Sequence, residues 1–167
     1  MKKLFIVLAM SLLAATHTMA QDVANEIKRM SKEVADDQKQ DLQTRRIAYF
    51  KVAVVDYLKM KVREEVLKDT NNIKVFNDNI KMINEQAYAM YEFVNLFVKR
   101  LSKADKEEAK EVIMAKFKKA SLNNPLFNDM DIELVQSYVN NDGYLTRFSL
   151  DTDWVKALEE MKLQSKM

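Results

Sequence analysis

Ile73–Leu101, IKVFNDNIKMINEQAYAMYEFVNLFVKRL, sets Ile73, Phe76, Ile80, Ile83, Ala87, Met90, Val94, Phe97 and Leu101 in alternating steps of three and four. That spacing stacks them on one face of a helix and predicts an apolar seam of about four heptads. From Ala87 to Val98 the remaining faces fill with Tyr88, Tyr91, Phe93 and Leu96. A helix this apolar around its circumference is covered on more than one side.

The pattern extends in both directions. Upstream, Asp69-Thr70-Asn71-Asn72 reads as a turn, and a second helix runs from about Asp41 to Lys68. Its stripe is Ile47, Phe50, Val54, Leu58 and Val62, widened by Ala48, Val52, Val55 and Tyr57. Before a break near Asp36-Asp37, Asp22 caps a first helix with Val23, Ile27, Met30 and Val34 on one face. Downstream, Ser102 with Asp105 resembles a capping box opening a fourth helix, with Ala109, Val112, Ile113, Phe117 and Ala120 as its stripe. Asn123-Asn124-Pro125 ends it, because the residue before proline avoids the α region. A short fifth helix is expected over about Ile132 to Val139, stopped by Asn140-Asn141-Asp142-Gly143 with Gly143 in a left-handed cap. Tyr144, Thr146, Phe148 and Leu150 alternate as a strand would, but without an evident partner strand they read as an ordered loop or a helical turn. Asp151 or Thr152 caps a last helix carrying Trp154, Leu158 and Met161, and Trp154 is expected to dock it on the central hairpin.

Composition agrees with an all-α bundle. Gly143 and Pro125 are the chain's single glycine and single proline. Sheets draw heavily on those residues for tight turns, whereas helix pairs do not. The expectation is one all-α domain over residues 21–167, of five or six helices, with helices two and three as a central antiparallel hairpin.

The N-terminus sets an expectation about destination. Lys2 and Lys3 precede an apolar run from Leu4 to Ala15, and Thr18-Met19-Ala20 offers a small-x-small site. This reads as a cleaved secretory signal over residues 1–20, leaving Gln21 first in an exported chain, periplasmic or secreted. The run is shorter than the roughly 20 apolar residues that cross a bilayer, so no transmembrane anchor is expected after cleavage. With no cysteine in the chain, no lipid anchor can be attached there.

Several chemistries are closed to residues 21–167. The one histidine is His17, inside the signal, and cysteine is absent. That removes Ser-His-Asp and Cys-His nucleophiles, thiol redox sites, and the imidazole and thiolate ligands of common metal and haem centres. Glu64 and Glu65 lack the histidines of a di-iron bundle. No cofactor and no metal site are expected. The full chain has 27 Lys+Arg and 25 Asp+Glu; Lys2 and Lys3 account for the difference, so the exported part is formally neutral. A neutral domain does not suit nucleic acid.

The remaining candidates have bland alternatives. Asn140-x-Asp142-Gly143 resembles part of a calcium loop, but Tyr138 and Ser149 stand where its first and last ligands belong. Asp129, Asp131, Asp151 and Asp153 precede expected helices, where capping is their ordinary role. The basic run Lys99–Lys119 faces an acidic 125–161 segment that can neutralise it within the molecule. Tyr88, Tyr91, Phe93 and Phe97 are the candidate interaction surface, with core packing as the alternative. The expected function is therefore a non-enzymatic binding or protein-interaction protein of the cell envelope or extracellular space, taking a protein partner or a second copy. The alternative is a carboxylate-based hydrolase of envelope polysaccharide, using two of Asp129, Asp131, Asp142, Asp151 and Asp153.

Overall fold

The computed structural model describes residues 22–66, 73–141 and 144–164. Among them are six helices: α1 (Val23–Asp36), α2 (Leu42–Val66), α3 (Ile73–Leu101), α4 (Glu107–Leu122), the single turn α5 (Ile132–Val135) and α6 (Trp154–Leu163). Two strands, β1 (Gln136–Asn141) and β2 (Tyr144–Ser149), form one antiparallel hairpin between α5 and α6. The protein is an all-α bundle with a small β insert. The expected signal, the Asp69–Asn72 turn and the Gly143 cap lie outside the described residues.

The periodic face of α3 is the spine of the core. Ala87, Met90, Val94, Phe97 and Leu101 are buried, and Phe93 joins them from the adjacent face. Antiparallel to it, α2 buries Phe50, Val54, Leu58 and Val62 from its stripe, with Val55 and Tyr57 beside them. Both helices are therefore covered on more than one side, as their sequence requires. Phe148 packs against Phe50, Phe93 and Phe97 with ring centroids 5.2 to 5.8 Å apart. Trp154 meets Phe50 and Phe93 edge-on at 5.9 and 5.3 Å, which docks α6 on the α2–α3 pair. Phe117 closes the cluster from α4. Each such ring pair contributes roughly 0.5–1.5 kcal/mol beyond the area it buries.

α1 departs from its expected face. The buried positions are Ala24, Ile27, Ser31 and Ala35, one step round from the Val23–Ile27–Met30–Val34 stripe. Small side chains let α1 lie close against α2, and Met30 and Val34 are displaced to the flank. Asp22 caps α1 by accepting from Asn25 N–H, as expected. Asn84 of α3 ties down the same end, its Oδ1 accepting from Ala24 N–H at 2.9 Å.

The C-terminal third corrects two expectations. Helix α5 stops at Val135, and the chain continues into β1 where a helix to Val139 was expected. The alternating Tyr144–Leu150 stretch is strand β2 as far as Ser149, with Thr146 and Phe148 buried and Leu150 buried just beyond its end. Its partner is β1, in a register that sets Asn141 opposite Tyr144 and Gln136 opposite Ser149. The bundle supplies the apolar surface this hairpin lacks, since β1 lies on α2 and β2 on α4. Two caps also differ. α4 starts at Lys106 with no side-chain cap, while Ser102 Oγ donates back to Lys99 O. α6 is capped by Asp153, which accepts from Lys156 N–H.

Candidate functional site

A cavity of about 500 Å³ opens between α1, α2 and the C-terminal half of α3. It follows from the shifted face of α1. Met30 and Val34, together with Ile47 and Ala48 of α2 and Val98 of α3, form its apolar walls, and Ile47 and Val98 also pack against the core. Ser31, Thr44 and Asn95 add neutral polar groups, and the exposed Lys99 and Ser102 mark its open side. The size lies within the roughly 300–1,000 Å³ usual for small-molecule sites, and such sites are mostly apolar with a few placed polar groups.

Lys51 is the charged group set into the wall. Its Nζ donates to Asn95 Oδ1 at 3.0 Å and stands 4.4 Å from the centre of the Tyr91 ring. Burial pulls its ammonium down from 10.5 to about 8, and the charge of Glu92 opposes that shift. Other lysines sit beside carboxylates: Lys28 on Asp56, Lys32 on Asp36 and Lys61 on both Glu64 and Asp129. Lys51 instead rests on a neutral amide and an aromatic face. Sequence periodicity passes over it, because a lone lysine on an apolar helix looks like a solvated side chain until the neighbouring helices are placed.

The expected interaction surface divides. Phe93 and Phe97 have no exposed area and belong to the aromatic core, so they offer nothing to a partner. Tyr91 borders the cavity and covers Lys51. Tyr88 is 44% exposed, and burial together with the charge of Glu92 raises its phenol. Among the described side chains of α2 and α3, the exposed large apolar ones are the scattered Leu42, Tyr49 and Tyr88.

The carboxylates are occupied by the backbone. Asp151, 3% exposed, accepts from Leu126 N–H at 3.0 Å, Phe127 N–H at 2.7 Å and Asp129 N–H at 2.7 Å. Asn128 takes a φ of 54° inside this loop, a conformation that asparagine tolerates. Asp131 caps α5 through Leu134 N–H. Asp153 caps α6, receives Gln86 Nε2 at 3.1 Å and pairs with Lys156. Its burial would raise its carboxyl, but the Gln86 and Lys156 contacts prevail and hold it low. Asp129 accepts from Asp131 N–H, from Tyr57 Oη at 3.1 Å and from Lys61, and is also held low. These four are latches and caps. Asp142 lies outside the described residues.

Arg100 crosses to α6, but its Nη2 donates to the Met161 carbonyl at 2.8 Å and not to a carboxylate. Among the described residues no helix is long and apolar enough to cross a membrane. The chain matches no family model, no curated protein and no solved structure.

Proposed function

We propose that this chain is an exported, non-enzymatic binding protein of the cell envelope or extracellular space, holding a small, largely apolar ligand between α1, α2 and α3. One observation carries the reading: about 500 Å³ of apolar-walled space in which a lysine is held without a carboxylate partner. A desolvated lysine costs stability, so its presence in the wall is better accounted for by a ligand than by the fold. Export rests on Lys2, Lys3, the Leu4–Ala15 run and Thr18-Met19-Ala20. N-terminal sequencing of the chain recovered from an envelope or culture fraction tests that half of the reading, with Gln21 expected as the first residue.

Binding is tested with Nile red, an uncharged dye that brightens in apolar surroundings. The purified protein should give a saturable, one-to-one rise in emission. Val34→Trp fills the cavity from α1 and should abolish the rise while leaving the far-ultraviolet circular dichroism unchanged. An undiminished rise in that variant, or none in the parent, would remove the cavity as the binding site.

A further inference from the structure

The charge in the cavity wall narrows the ligand class. An ammonium carries three donors. Asn95 Oδ1 accepts from Lys51 Nζ and the Tyr91 ring covers one side, so donor capacity remains unused. Among the described residues no acidic side chain lines the cavity: α1 contributes Met30, Ser31 and Val34, and the charged side chains in the lining are Lys51 and Lys99. Glu92 is the nearby acid that acts on Lys51, and it forms no salt bridge with it.

We infer that the cavity takes an apolar molecule ending in one carboxylate, with Lys51 as its counter-ion. This inference rests on the binding reading above and assigns its ligand class. A single carboxylate matches Lys51, the partly buried cation of the lining, while the other lining cation, Lys99, is exposed to water. A phosphate is a poorer match, because it calls for several donors or a bidentate arginine, and no arginine among the described residues lines the space. The apolar walls take the rest of the molecule, and the exposed Lys99 stands where ligand enters from water. The desolvation that disfavours the Lys51 ammonium is relieved when an anion arrives, so binding offsets the cost of holding that charge in the wall.

The test uses cis-parinaric acid and its methyl ester, two fluorescent probes that differ only in the charge of the head group. Each is titrated near neutral pH into the parent protein, Lys51→Met and Lys99→Met. The parent should bind the acid roughly tenfold or more tighter than the ester, the factor expected of a charge-assisted hydrogen bond in a partly desolvated site. Lys51→Met should bring the acid down to the ester while changing ester affinity by no more than about twofold, because the apolar walls are unaltered. Lys99→Met should keep the preference. Equal affinities in the parent, or a preference that survives Lys51→Met, would overturn the assignment of Lys51 and leave the binding reading in place. Failure of both parinaric probes where Nile red still binds would overturn the ligand class alone. Failure of all three would remove the binding reading with it.

Discussion

Replacing Lys51 by methionine should make the protein more stable, and the gain should depend on pH. In the folded chain burial pulls the lysine from 10.5 to about 8. At 1.36 kcal/mol per unit, that shift is a penalty of roughly 3 kcal/mol on the charged form. The sign follows from proton counts. Between about 8 and 10.5 the unfolded chain holds a proton that the folded chain has released, so wild-type stability rises with pH across that window. Below about 8 both states are protonated and the whole penalty is present; near pH 10 roughly 1 kcal/mol of it remains. Methionine is of similar length and carries no charge. It gives up the Asn95 hydrogen bond and the Tyr91 contact, worth about 1 kcal/mol each at a partly exposed site. Lys51→Met should therefore gain about 1–3 kcal/mol near pH 7, and the gain should shrink by about 2 kcal/mol near pH 10. Urea titrations of both proteins at the two pH values measure this directly. Every other ionisable side chain is common to both proteins, so the difference between them isolates Lys51. A variant that is less stable near pH 7, or a difference that does not move with pH, would refute the claim that Lys51 is a desolvated charge.

Three further outcomes probe the frame that holds the cavity. Asp151→Asn keeps one acceptor but faces the loop amides with a donor, and should cost about 2–4 kcal/mol. Thermal circular dichroism would register this as a fall of about 5–15 °C, and a loss below about 1 kcal/mol would mean the Leu126–Asp129 loop does not depend on that carboxylate. Gln86 sits between α3 and α6, receiving Trp154 N–H at 2.6 Å on Oε1 and donating to Asp153. Gln86→Leu should lower stability by about 1–3 kcal/mol in urea. Before the transition, acrylamide should still fail to quench Trp154, because the aromatic contacts persist; ready quenching would show that Gln86 alone docks α6. Finally, Phe93→Ala should cost about 3–5 kcal/mol by opening a cavity in the core, whereas Tyr88→Ala should stay within about 0.5 kcal/mol. Similar costs for the two would contradict their burial.

How far the sequence could be read varied with the reach of the signal. Helix boundaries near Asp36 and Asp41, the Asp22 and Asp131 caps and the seam of α3 are local, and each was legible. The β hairpin was not, although its signals were present. Tyr144, Thr146, Phe148 and Leu150 alternate, and Asp142-Gly143 is a dipeptide favoured between paired strands. The stretch Ile132–Val139 suited a helix equally well, and choosing the helix left β2 without a partner. The Ser102–Asp105 box failed for a similar reason: the residues fit the motif, but Ser102 Oγ found the Lys99 carbonyl first.

The candidate site lay further beyond reach. Phe93 and Tyr88 differ little on paper, and only the arrival of Phe117, Phe148 and Trp154 around Phe93 separates core from surface. By itself the sequence determined an all-α bundle, because a chain with one glycine and one proline that is apolar at intervals of three and four is closed by helix packing. It also ruled out histidine and cysteine chemistry beyond residue 20. Tertiary structure alone decided that α1 turns its alanines and Ser31 inward, which moves Met30 and Val34 to the flank and leaves space beside Lys51. A helix's own pattern specifies which residues are apolar, but the face it buries is chosen by the closeness its neighbours permit.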